Sequence, residues 1–64
     1  MNRKPAAVIR RLQKDGWQEV KSKRKGSHRH FVKDGQFTEV PIHKGRDINP
    51  YILKDIAKKA GWKD

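Results

Sequence analysis

Hydrophobic positions recur with a helical period near both ends of the chain. Pro5 suits the first position of a helix, where its missing N–H costs no hydrogen bond. The apolar stripe that follows consists of Val8, Ile9 and Leu12. Gly16 predicts a left-handed end to this helix, with Trp17 packing back on its last turn.

A second helix is predicted near the other end. Asn49 and Pro50 are typical of an N-cap and the first helical residue. The apolar face after them consists of Ile52, Leu53, Ile56, Ala57 and Ala60. Gly61 and Trp62 then repeat the Gly-Trp ending of the first helix, and Asp55 and Lys59 have the spacing of an ion pair one turn apart.

Between the helices the period changes to two, which is typical of strands. Asp34-Gly35 favours a two-residue, type I′ hairpin loop between strands over residues 28–33 and 36–42. Weaker alternation predicts another strand over residues 17–23, and Pro41 marks the end or an edge of the third strand. The order predicts an α+β fold, α-β-β-β-α, with a three-stranded antiparallel sheet and both helices on one face.

The two-residue loop also fixes which residues share a sheet face. Phe31, Thr38 and Val40 form the face that we expect the helices to cover. The outer face then carries two histidines, a carboxylate and an exposed apolar pair: His28, His30, Glu39, Val32 and Phe37. A shift of one residue would reverse both faces.

Charge points to a polyanionic partner. The 64 residues include 17 Lys or Arg and seven Asp or Glu, a net charge of +10, and such an excess usually serves nucleic-acid binding. The segment from Val20 to Lys33 contains no acid. Its basic residues are Lys21, Lys23, Arg24, Lys25, Arg29 and Lys33.

Length and composition exclude several classes of protein. The length predicts a single domain over residues 1–64, with a small core because only 33% of residues are hydrophobic. No cysteine is present for a disulfide or a thiolate metal site. No apolar run would span a membrane, and no Gly-rich phosphate loop occurs. The first residues lead into no signal-peptide core, so we expect a cytoplasmic protein.

The segment around His28 has the residues that RNA cleavage requires. RNA carries its own nucleophile, the 2′-hydroxyl, so a histidine and nearby cations suffice without a metal or cofactor. Lys25, Arg29 and the backbone N–H groups of Gly26 and Ser27 would accompany His28. Glu39, which lies opposite His30 in the predicted register, would orient a histidine ring.

Other interpretations of the same residues are open. The histidines are equally well explained as polar surface. His28 and His30 with His43 or Glu39 would make a zinc site, a weaker hypothesis because only two ligands are well placed. The two tryptophans follow helix-ending glycines and are better explained as core than as base-stacking surfaces. Val32 and Phe37 would either be sheet residues that no other element covers, or form a surface on which a base stacks or a protein docks.

The motifs, taken in order, resemble those of the HicA family of small toxin endoribonucleases, the mRNA interferases of HicAB toxin–antitoxin pairs. The resemblance covers nearly the whole chain. The matching motifs are Lys4-Pro5, Gly16-Trp17, Gly26-Ser27-His28, Phe31, Val40-Pro41 with His43, Gly45-Arg46-Asp47-Ile48 and Ala60-Gly61-Trp62. The run from Lys21 to Lys25 makes the loop before Gly26 long for this family.

The resemblance implies a fold like that of a double-stranded-RNA-binding domain. It also implies that His28 is the catalytic histidine, that Gly26 shapes the loop beside it, and that a HicB-like antitoxin covers the active site. No catalytic role carries over to His30, Glu39 or His43. With the charge pattern, we expect RNA contacts from Lys23, Arg24, Lys25, Gly26, Ser27, Arg29 and His30.

Three functions therefore compete. The first is a metal-independent RNA endonuclease that cleaves mRNA, with His28 as catalytic acid or base, neutralised by its antitoxin. The second is an RNA-binding module of the same fold without chemistry. A DNA-binding regulator is disfavoured because neither helix has a helix-turn-helix partner, so we expect no stable DNA contact by this chain alone.

Overall fold

The computed structural model describes residues 1–21 and 28–63. Its elements follow the predicted order: α1 (Pro5–Lys14), β1 (Gln18–Val20), β2 (His28–Lys33), β3 (Gln36–Pro41) and α2 (Pro50–Ala60). The strands form one antiparallel sheet in the order β1-β2-β3. The α-β-β-β-α architecture, like that of a double-stranded-RNA-binding domain, is confirmed.

Both helices end in the predicted way. Gly16 and Gly61 have positive φ values of 94° and 76°, which glycine adopts without steric cost. Behind them, the Trp17 N–H donates to the carbonyl of Leu12 at 2.9 Å, and the Trp62 N–H donates to that of Ala57 at 2.8 Å. Each tryptophan is thereby turned back towards its own helix.

The start of α2 is also as predicted, because the side-chain oxygen of Asn49 accepts a hydrogen bond from the Tyr51 N–H at 2.8 Å. The cap satisfies a donor that the first helical turn leaves free. Lys59 and Asp55 form the expected ion pair at 3.3 Å on the exposed side of this helix.

The hairpin has the predicted loop and register. Asp34 and Gly35 have φ values of 51° and 76°, as a type I′ turn requires. His30 lies opposite Glu39, and His28 lies opposite Pro41. β3 ends at this proline, one residue earlier than predicted, because proline has no N–H for a ladder.

β1 is shorter than predicted. It ends at Val20 rather than continuing to Lys23, and Lys21 follows outside any element. Positions 22 and 23 of the predicted strand lie outside the described residues. The alternation of apolar and polar residues in this segment is too weak to predict where the strand ends.

The core lies between the sheet and the two helices. Phe31, Thr38 and Val40 are at most 1% exposed, so the predicted face is the covered one. The helices and their flanking segments supply the rest of the core: Val8, Ile9, Leu12, Trp17, Ile48, Leu53 and Ile56. In the described ranges, no helix has the length and apolar character to cross a membrane.

The tryptophans are structural, as expected. Trp17 is buried in the core, and Trp62 is half-buried against it. The indole N–H of Trp62 donates to the Asp15 carboxylate at 2.6 Å, and the Arg11 guanidinium lies 4.2 Å from the ring centroid. These contacts join the end of α2 to the end of α1.

Candidate active site

Two histidines and a carboxylate meet on the outer face of the sheet. Glu39 of β3 lies directly opposite His30 and diagonally to His28, as the register predicts. Its Oε2 lies 3.0 Å from Nε2 of His30, and its Oε1 lies 3.4 Å from Nδ1 of His28. One carboxylate therefore holds both rings.

The two histidines differ in accessibility. The His28 side chain is 46% exposed, whereas that of His30 is 17% exposed. The His30 ring also packs at 5.2 Å, centroid to centroid, against Phe37. A substrate approaching this face would reach His28 first, while His30 is held between the carboxylate and the phenyl ring.

A third histidine lies beside His28. His43 follows β3, and its ring lies 6.3 Å from that of His28, edge to face. From the sequence, His43 was a candidate zinc ligand and part of the family motif, with no catalytic role carried over to it. The register contained the signal that places it: Pro41 lies opposite His28, so the residues after Pro41 leave the sheet close to that ring.

Arg29 lies on the opposite face of the sheet from His28, because neighbouring strand residues alternate in direction. Its guanidinium binds both carboxylate oxygens of Glu19, with Nε at 2.8 Å from Oε2. The hydrogen bonds from Arg29 lower the pKa of Glu19, and those to Glu19 raise the pKa of Arg29. The sequence grouped Arg29 with His28, and the structure separates the two side chains.

The other predicted RNA contacts fall in a segment that the structure does not describe. They are Lys23, Arg24, Lys25, Gly26 and Ser27. Of the predicted site, the described part of the chain therefore places His28, His30 and Arg29. The segment ends immediately before His28, so it is tied to that position by the backbone.

A groove of about 410 Å³ runs from His28 between β3 and α2. Its apolar walls include Phe37, Tyr51 and Ile52, which are 48%, 83% and 42% exposed. The sequence assigned Ile52 to the buried helix face, and that assignment is wrong, because the helix turns this residue towards the groove. Val32, predicted to be exposed with Phe37, is half-buried.

A second groove, of about 500 Å³, is lined by His43 and lies between α1 and the segment after β3. Its cationic residues are Lys4, Arg29, Lys44 and Arg46, and its apolar residues are Pro5, Ala6, Ile9 and Ile42. Asp47 also lines it. The Arg46 N–H donates to the His43 carbonyl at 2.9 Å, so a tight turn holds this arginine near the histidine.

The zinc hypothesis required a third ligand near His28 and His30. Among residues 1–21 and 28–63, no three histidine or acidic side chains are grouped so that they could hold a metal ion. Both histidine nitrogens nearest Glu39 are instead occupied by that carboxylate. This part of the chain therefore offers no ligand set for zinc.

Comparison with known proteins identifies a family. The model of the HicA toxin of bacterial toxin–antitoxin systems matches residues 6–62. The matched range runs from the first turn of α1 to the tryptophan after α2 and includes all three histidines. No curated protein matches the chain.

Proposed function

The chain belongs to the HicA family of toxins of bacterial toxin–antitoxin systems, and from this premise we propose that it is an endoribonuclease that cleaves mRNA. The family also implies a cognate antitoxin that neutralises it. The observation that carries the proposal is His28, an exposed histidine held by a carboxylate at the mouth of a groove.

His28 has the chemistry that cleavage needs. An imidazole both accepts and donates protons near neutral pH, and the carboxylate of Glu39, 3.4 Å from Nδ1, orients the ring. When the 2′-hydroxyl of RNA attacks the adjacent phosphorus, one proton leaves the nucleophile and one is added to the departing oxygen. His28 moves one of these protons, and the substrate supplies the nucleophile without a metal.

Cations would neutralise the phosphates of the bound RNA. We assign this role to Lys23, Arg24 and Lys25, with the backbone N–H groups of Gly26 and Ser27, because this segment leads directly into His28. Arg29 would contact RNA from the other side of the sheet, where it lines the groove beside His43. His30 would act through Glu39, which it shares with His28.

The antitoxin, which we expect to be HicB-like, would bind the apolar groove beside His28. Phe37, Tyr51 and Ile52 present exposed apolar surface there, and such surface commonly marks a protein interface. A partner bound over these residues would also cover His28, which lines the same groove. Inhibition would follow from occupation of the site itself.

The alternative is an RNA-binding module of the same fold that lacks chemistry. Incubation of the pure protein with single-stranded RNA separates the two, since a binder retards the RNA and an enzyme shortens it. We expect the wild type and Gln13→Ala, a change on the exposed side of α1, to shorten the RNA.

His28→Ala should bind the RNA without cutting it and retain a native melting temperature, because a half-exposed histidine contributes little packing. Growth of cells that express this variant should be normal, whereas the wild type should arrest growth. Cleavage and toxicity of His28→Ala equal to those of the wild type, at equal expression, would contradict the proposed function.

A further inference from the structure

We propose that His43 is the second proton-transfer group of RNA cleavage, accepting the proton of the attacking 2′-hydroxyl while His28 protonates the departing 5′-oxygen. The proposal rests on the proposed cleavage of RNA. Its starting observation is the pair of exposed imidazoles, whose centroids lie 6.3 Å apart in an edge-to-face arrangement.

The distance between the rings suits an in-line displacement. The attacking and departing oxygens lie on opposite sides of the phosphorus, so two proton-transfer groups must approach it from two directions. Each needs a nitrogen within hydrogen-bond reach of its oxygen, about 2.6–3.2 Å. Rings whose centroids lie 6.3 Å apart are neighbours, so one phosphate lying across both would contact a nitrogen of each.

The surroundings of the two rings differ, and the difference assigns their roles. His28 forms an ion pair with Glu39 whenever it carries its proton, since Nδ1 and Oε1 are 3.4 Å apart. That arrangement suits a proton donor. Among the described residues, no carboxylate forms an ion pair with His43. Lys44 and Arg46 line the groove beside it, together with Asp47, so cations for the phosphate lie on the His43 side of the pair.

The proposed step balances in atoms and charge. His43 takes the 2′-hydroxyl proton as the bond from the 2′-oxygen to phosphorus forms. The bond from phosphorus to the 5′-oxygen breaks, and His28 gives its proton to that oxygen. The products are a 2′,3′-cyclic phosphate and a 5′-hydroxyl, and exchange with water returns each ring to its starting form.

The groove beyond His43 provides a place for the nucleotide that carries the attacking hydroxyl. Pro5, Ile9 and Ile42 give it an apolar floor for a base or ribose, and Lys44 and Arg46 give it cations for the phosphates. This groove lies on the His43 side of the pair, as expected if His43 faces the nucleophile. The downstream strand would then leave past His28.

His30 fits the second role less well. It is 17% exposed, and its Nε2 lies 3.0 Å from Glu39, with Phe37 against the ring. A substrate oxygen would have to displace one of these contacts to reach it. His30 is therefore a positioning residue that holds the carboxylate shared with His28.

The roles can be tested with two RNA oligonucleotides that differ by one atom. In one the departing 5′ atom is oxygen, and in the other it is sulfur, which leaves as a thiolate without needing a proton. His28→Ala should lose cleavage of the oxygen substrate and recover most of it with the sulfur substrate. His43→Ala should lose roughly 10²–10⁴-fold in kcat on both substrates.

The possible failures are distinguishable. If the wild type cleaves neither substrate, the proposed function itself fails. If His43→Ala cleaves the oxygen substrate as fast as the wild type, or if sulfur restores His43→Ala instead of His28→Ala, the role given to His43 is wrong while the proposed function stands.

A second measurement separates chemistry from a structural effect. Imidazole added to His43→Ala should restore part of the lost cleavage, because the small molecule replaces the missing base. The affinity of this variant for 2′-O-methyl RNA, which cannot be cut, should match that of the wild type. No response to imidazole with binding intact would overturn the proposal. Gln13→Ala, a change on the exposed side of α1, should bind and cleave RNA like the wild type.

Discussion

Glu39 and Glu19 each pair with a basic side chain on β2, from the neighbouring strand on either side. The contacts of Glu39 with His30 and His28 follow from the hairpin, because the Asp34-Gly35 turn fixes the register of β2 and β3. The pairing of Glu19 with Arg29 was not predictable in this way. Residues 21–27 separate β1 from β2 along the chain, and a connection of this length does not set their register.

The Glu19–Arg29 pair predicts a small pH-dependent stability. The pKa of Glu19 is lowered in the folded protein, so its contribution is present above the unfolded pKa of about 4.3 and is lost as pH falls through the folded value. Both side chains are more than a third exposed, which limits the contribution to about 1 kcal/mol or less.

We therefore expect Glu19→Gln to lower the melting temperature by a few degrees at neutral pH and to leave it unchanged at about pH 2. Thermal unfolding followed by circular dichroism at the two pH values measures the difference. A penalty that persists undiminished in acid would show that Glu19 stabilises the fold through packing rather than charge.

The elements were predictable where a local signal defined them. Local signals predicted most ends of α1, α2, β2 and β3 to within about one residue. These signals are the helix caps, the Gly-Trp endings and the type I′ turn. β1 had no such signal, and its end was placed too late. The exposure of Ile52 was missed for another reason: the edge of a helix stripe is buried or uncovered according to what packs there.

The two faces of the hairpin predict opposite effects on stability for two phenylalanine variants. Phe31 is 0% exposed, and Phe37 is 48% exposed. Phe31→Ala should lose roughly 3–5 kcal/mol, most of what a domain of this size can supply, and should be largely unfolded. Phe37→Ala should remain folded.

Chemical denaturation of the two variants under identical conditions is the check, with each serving as the control for the other. Similar unfolding midpoints would mean that the assignment of the two sheet faces is incorrect.

For the whole molecule, a net charge of +10 favours a polyanionic partner but does not identify the surface that such a partner would contact. Phe37 belongs to β3 and Tyr51 to α2, and only the packing of this helix beside the edge strand brings them together. Periodicity within one element carries no information about such neighbours.

If RNA and antitoxin share the surface around His28, they should compete. Labelled RNA bound to His28→Ala should be displaced stoichiometrically by antitoxin. Antitoxin binding should weaken with salt less steeply than RNA binding, because burial of Phe37 and Ile52 releases no counterions.

Phe37→Ala should weaken antitoxin binding more than RNA binding, with Gln13→Ala as the unaffected control. A stable ternary complex with unchanged RNA affinity would show that the antitoxin acts from a separate site.

The proposed cleavage of RNA depends on proton transfer at His28, with the 2′-hydroxyl as nucleophile. Mass spectrometry of the fragments from a defined RNA, cut in the presence of EDTA, tests it most directly. Upstream fragments should end in a 2′,3′-cyclic phosphate or a 3′-phosphate, downstream fragments should begin with a 5′-hydroxyl, and His28→Ala should yield neither. Fragments with a 5′-phosphate, or cleavage that appears only when a divalent metal is restored, would contradict the claim.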